Sequence, residues 1–105
     1  GRMEANEILD TSVAVERKKG TVTVFTLIEY PNASKKDFDV IIPDMDDYTK
    51  SIEIANTLRE LGTPVGAIDI LIASMCLNKG KSLLAKDKDF IRISKAVPEL
   101  DVALV

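Results

Sequence analysis

The sequence contains no histidine. That absence removes Ser–His and Cys–His catalysis, histidine-ligated zinc, and the side chain most often used as a general base near neutral pH. Cysteine is nearly absent too. Cys76 stands alone, so an internal disulfide is excluded and the residue reads as a buried thiol in a reducing, cytoplasmic setting. No apolar run approaches the roughly 20 residues needed to span a bilayer. No signal-peptide pattern opens the chain, and Gly1-Arg2-Met3 reads as an expression scar. An excess of positive charge is also missing. Lys and Arg number 14 against 17 Asp and Glu, for a net charge of −3, so no global basic field attracts nucleic acid. A local basic face, or a partner with a basic segment, fits that balance.

What is present is an ordinary globular composition, 46% hydrophobic and 30% charged over 105 residues, which predicts a single domain spanning 1–105. With histidine gone, chemistry must rest on carboxylates, lysines, hydroxyls or a bound metal. The stretch that organises the chain is Gly66-Ala67-Ile68-Asp69-Ile70-Leu71-Ile72-Ala73-Ser74-Met75-Cys76-Leu77, an apolar helix-length run with one carboxylate near its start. An unpaired ionised carboxylate in apolar surroundings costs several kcal/mol, so it finds a partner, a cation or a proton. Asp69 either sits in an exposed first turn, where the helix dipole favours it, or serves a metal site.

Glu7-Ile8-Leu9 reads as a short strand that ends in the helix-cap signal Asp10-Thr11-Ser12. Val13 to Lys19 then predicts a short helix stopped by Gly20, and Thr21 to Phe25 a β-branched strand. Thr26 caps a turn or helix carrying Leu27-Ile28-Glu29-Tyr30, broken at Pro31, and Asn32 to Asp37 reads as loop. Phe38 to Ile42 is a strand candidate closed by Pro43. Asp44 caps a helix to Leu61, with an apolar stripe at Tyr48, Ile52, Ala55 and Leu58 and a stop at Gly62. After the central helix, which ends at Asn78-Lys79-Gly80, come a strand at Ser82–Ala85, a helical turn from Asp87-Lys88-Asp89 through Ile93, and a last strand at Asp101–Val105. Strands alternating with helices predict an α/β fold, a mainly parallel central sheet flanked by helices in three layers.

In such a sheet, sites form beyond the carboxyl ends of the strands. Asp10 follows the first strand directly, Glu29 comes shortly after the second, and Asp87 lies two residues beyond Ala85. Asp69 joins them only if the loop Thr63-Pro64-Val65 returns to that edge. Acids gathered there repel one another and call for a cation, and an all-oxygen cluster suits Mg²⁺ or Mn²⁺. Each acid also has a plain structural reading: Asp10 as a helix cap, Glu29 as a solvated helix charge, Asp87 or Asp89 as a turn or cap residue. The run Asp44-Met45-Asp46-Asp47 reads as a charged first helical turn, outside any site. Lys79, Lys81, Lys86 and Lys88 read as solvated, with phosphate contact as the alternative.

Four segments together resemble the successive motifs of PIN domains: Leu9-Asp10-Thr11-Ser12-Val13, Phe25-Thr26-Leu27-Ile28-Glu29-Tyr30-Pro31, Gly66-Ala67-Ile68-Asp69-Ile70-Leu71-Ile72-Ala73, and Leu84-Ala85-Lys86-Asp87-Lys88-Asp89-Phe90. The likeness is to the archaeal VapC-like toxins and runs over nearly the whole chain in order. It implies a PIN-like fold with Mg²⁺- or Mn²⁺-dependent endoribonuclease activity, as the toxin of a type II toxin–antitoxin pair. Asp10, Glu29, Asp69 and Asp87 match the acidic quartet, with Asp10, Asp69 and Asp87 as metal ligands. Ser12 matches the small polar residue beside the first acid, and Asp89 is the alternative fourth acid. The resemblance also implies an RNA substrate, a VapB-like antitoxin and a homodimer, with no membrane association.

Two departures stand against it. Ala85 occupies a place where the family usually has Thr or Ser, and only Asn32 to Asp37 spans a gap that usually holds about two more helices. Both favour a second reading, a catalytically weak PIN-like binding or assembly module. A phosphate-receiving response-regulator-like domain also gathers Asp residues at strand ends. It would need paired acids directly after the first strand and a lysine after a late one, which makes it the weaker alternative.

Overall fold

The computed structural model describes residues 6–105; the suspected scar at Gly1–Met3 lies outside them. In chain order the elements are β1 (Glu7–Leu9), α1 (Thr11–Ala14), β2 (Lys19–Thr23), α2 (Val24–Glu29), a 3-10 turn (Pro31–Lys35), β3 (Asp37–Ile41), α3 (Met45–Glu60), α4 (Ala67–Lys79), β4 (Ser82–Ala85), α5 (Asp89–Ala96) and β5 (Val102–Leu104). All described strand pairs are parallel. β4 lies between β1 and β5, with Leu9 opposite Leu84 and Ala85 opposite Leu104. β2 and β3 form a second pair, with Thr23 opposite Ile41. The expected continuous sheet is thus divided in two. β1 nevertheless packs beside β2, and Gly20 permits that approach: a Cβ there would come within 2.9 Å of Leu9 Cδ1, and its φ of +142° disfavours any other residue.

Side-chain alternation along the strands builds a core on each face. Ile8, Leu83 and Ala85 belong to the larger apolar cluster, with Ile54 and Leu58 of α3, Ile70, Ile72, Ala73 and Cys76 of α4, and Phe90 and Ile93 of α5. Leu9 and Leu84 point the other way, onto Val13, Ala14 and Val22. Burial on both faces is what a parallel arrangement requires, since its crossovers lay helices over each side. Burial also pushes the Cys76 thiol up to about 12, as expected of an inert core residue.

Several sequence expectations are corrected. Gly20 does not stop a helix; α1 ends at Ala14, and Gly20 lies inside β2. The short helix is closed from outside, because Lys36 Nζ donates to the carbonyls of Ala14, Val15 and Arg17 at 3.3, 3.1 and 2.9 Å. α2 starts two residues before Thr26, which lies within it. The stretch read as loop is largely a 3-10 turn. Together with α2 it makes the β2–β3 crossover, for which a dozen or so residues suffice. The stripe on α3 is shifted: Ile54 and Leu58 are buried, whereas Tyr48 and Ile52 are exposed. Asp47, expected in a charged first helical turn, does lie there but is fully buried. It forms a reciprocal capping box with Asp44, accepts from Asn78 Nδ2 at 2.9 Å, and lies 4.0 Å from Lys79 Nζ.

Candidate metal centre

Asp10 emerges where β1 ends, and its backbone N–H continues the ladder by donating to the Leu84 carbonyl at 2.9 Å. It holds the N-cap position of α1 without making a side-chain capping hydrogen bond. Instead its Oδ2 accepts from Ser12 Oγ at 3.1 Å, and Ser12 Oγ in turn accepts from the Lys86 amide at 3.3 Å. Ser12 therefore ties the end of β1 to the segment leaving β4. Burial raises the pKa of Asp10, the Ser12 hydroxyl opposes that rise, and the nearby charge of Glu29 adds to it.

Asp69 occupies the first turn of α4 and comes within 4.8 Å of Asp87, which follows β4, so the loop before that helix does return to the carboxyl edge. Its pKa is raised to about 6, first by burial, then by the charges of Asp10, Asp87, Asp89 and Glu29. All the acids named from the sequence therefore act on a single group. Within that set, Asp69, Asp87 and Asp89 each offer an oxygen, and these lie within 4.8 Å of one another. Asp10 and Glu29 approach the trio without joining it.

Local structure fixes the last two acids. Phe90 is fully buried and anchors the start of α5. The turn before it is held by the Asp89 amide, which donates to Asp87 Oδ1 at 2.9 Å. Arg92, one turn along α5, donates to Asp89 Oδ1 at 3.1 Å. The sequence reading passed over three participants: Arg92, Thr11 and Thr26. Thr11 Oγ1 donates to Glu29 Oε1 at 2.8 Å and lies 2.9 Å from Thr26 Oγ1. Only the motif neighbours of Asp10 and Glu29 hinted at the two threonines, and nothing in the sequence separated Arg92 from other surface cations. Among the lysines read as solvated, Lys86 pairs with Glu16 and Lys79 faces Asp47.

The donor set can be tested against a metal by its chemistry. Three carboxylates within bridging distance, with an acid already resisting ionisation, form a hard all-oxygen site whose charge a divalent cation would relieve. These three aspartates can hold a metal ion.

No protein-family model matches the chain, and no curated protein matches it either. Solved structures do. The fold is similar to VapBC2 from Rickettsia felis bound to a DNA fragment from its promoter, with a TM-score of 0.73, 17% identity, and coverage of 93% of this chain and 97% of that one. It is equally similar to DNA-bound VapBC from Salmonella typhimurium, at TM-score 0.73 and 19% identity, over 94% and 97% of the two chains. At such identities the likeness is one of fold. Among the described residues, no helix is long and apolar enough to cross a membrane.

Proposed function

We propose that this chain is a PIN-type, divalent-metal-dependent endoribonuclease, the toxin component of a toxin–antitoxin pair. The observation that carries the reading is the convergence on Asp69 of Asp10, Glu29, Asp87 and Asp89, with the Asp69, Asp87 and Asp89 oxygens within 4.8 Å. Asp69 and Asp87 would hold Mg²⁺ or Mn²⁺, with Asp89 as a third ligand once released from Arg92, and Asp10 closing the site from the β1 side. When bound, such an ion activates water and neutralises charge on the leaving oxygen of a phosphodiester. Glu29, at the rim, orients the attacking water and takes its proton. Ser12 holds Asp10 in register with the Lys86 backbone.

The fold likeness to VapBC complexes supports the toxin–antitoxin setting. Of the two kinds of component, the one that performs hydrolysis suits clustered carboxylates able to hold a divalent cation. A VapB-like antitoxin and a second copy of the chain are the partners this reading brings with it. One observation favours the non-catalytic reading: Arg92 already offsets part of the cluster's charge through Asp89.

Cleavage of a single-stranded RNA pool with and without Mn²⁺ tests the proposal. The unaltered protein should cut only with the metal, and Asp69→Asn should lose nearly all cleavage while melting cooperatively. Cleavage by Asp69→Asn close to the unaltered rate would refute the assignment. No cleavage, with no Mn²⁺-dependent rise in melting temperature, would favour the binding module.

A further inference from the structure

Glu29 is an exposed side chain near the end of a six-residue helix, where a long carboxylate ordinarily samples many rotamers. Here it is held. Its Oε1 accepts from Thr11 Oγ1 at 2.8 Å, and Thr11 Oγ1 lies 2.9 Å from Thr26 Oγ1. A threonine hydroxyl carries a single proton. With the Thr11 proton committed to the Glu29 carboxylate, the Thr11–Thr26 bond must use the proton of Thr26. The chain therefore runs in one sense, from Thr26 to Thr11 to Glu29.

The origin of this chain is rigid. Thr26 is 1% exposed and lies on the buried side of α2, and both threonines are β-branched and stiff about χ1. Thr11 also directly follows Asp10. One short segment thus presents a carboxylate to the metal centre and steers a second carboxylate arriving from α2. A charge-assisted hydrogen bond of this kind is stronger than one between neutral groups, and it fixes direction as well as distance.

We propose that Thr11 and Thr26 are positioning residues for Glu29. They pin Oε1, so that Oε2 is the oxygen presented to the attacking water. This rests on the nuclease reading and extends it from the ligands to the base. Neither threonine touches substrate or metal; both act through Glu29.

A double-mutant cycle in Mn²⁺-dependent RNA cleavage tests the inference. Thr11→Val should lower kcat about tenfold and change KM less than about twofold, because positioning a base affects the transition state and not substrate binding. Thr11→Ser should recover to within about threefold of the unaltered protein, and Thr26→Val should cost about threefold. In a Glu29→Gln background, Thr11→Val should cost nothing further, since there is no base left to position. An undiminished tenfold loss in that background, or failure of Thr11→Ser to recover, would overturn the inference. Retention of the Mn²⁺-induced rise in melting temperature certifies each variant as folded; if Thr11→Val does not fold, Thr26→Val enters the same cycle. Absence of Mn²⁺-dependent cleavage by the unaltered protein overturns the nuclease reading and this inference with it. Cleavage accompanied by additive losses overturns this inference alone.

Discussion

Two aspartate environments in this molecule have opposite characters. Asp47, at the start of α3, is fully buried and fully supplied: the Asp44 amide donates to its Oδ2 at 2.9 Å, Asn78 donates to its Oδ1, and Lys79 stands 4.0 Å away. Asp69, at the start of α4, is only partly buried and faces four other carboxylates. Both begin helices, so the favourable end of the helix dipole is common to them and does not distinguish them. What differs is the company. A carboxylate surrounded by donors is architecture, whereas one surrounded by its own kind carries a repulsion that a cation would relieve.

The contrast is broken most sharply by activity. Asp69→Asn should reduce Mn²⁺-dependent RNA cleavage on the order of a thousandfold, equivalent to about 4 kcal/mol of transition-state stabilisation. Asp47→Ala should leave the chemistry of the folded fraction intact but destabilise the fold by about 3 kcal/mol, because Asn78 and Lys79 lose their buried partner and α3 loses half its capping box. Urea denaturation measures that loss.

Metal binding should divide the two environments again. Mn²⁺ at a hundredfold excess over its dissociation constant should stabilise the unaltered protein by about 2.7 kcal/mol. The same increment should appear in Asp47→Ala and vanish in Asp69→Asn, as read by melting curves.

The smallest effect is on pH dependence without metal. The pKa of Asp69 lies at about 6 in the fold, above its ordinary 3.8. The native state then holds the proton more tightly than the unfolded chain, so this group's contribution to stability is complete below pH ~4 and is lost as pH rises through 6. Partial exposure and solvent screening reduce its size to about 1 kcal/mol. Unfolding free energies from urea titrations between pH 4 and 7 should decline by that much more in the unaltered protein than in Asp69→Asn, and at pH 7 without metal the variant should be the more stable of the two.

Much of the scaffold was legible where local chemistry is decisive. The Ser82–Ala85 strand, the Asp44 cap, and the stops at Gly62 and Gly80 follow from residues acting on their immediate neighbours. Errors arose where distant chain intervened. α1 is four residues long because Lys36 closes it from beyond α2, and Gly20 is needed by Leu9 of the neighbouring strand. On α3 a helical period was evident, but Ile54 and Leu58 share it with Tyr48 and Ile52, and period alone does not choose the face. Asp47 is buried because of Asn78, 31 positions away. At the site, Asp10, Glu29, Asp69 and Asp87 stand out in the sequence by their places at strand and helix ends; the charges of the other three all bear on Asp69, but only Asp87 comes within bridging distance of it. That Asp89 reaches the trio while Asp10 stands outside it depends on the turn held by the Asp89 amide, a detail no residue pattern contains.

The most direct experiment is diffraction from crystals soaked in Mn²⁺, recorded for anomalous signal. A single strong peak about 2.1 Å from oxygens of Asp69 and Asp87, with the Asp89 carboxylate turned away from Arg92 towards it, is the expected result. A cluster with no peak at saturating Mn²⁺, or a peak held by other residues, would contradict it.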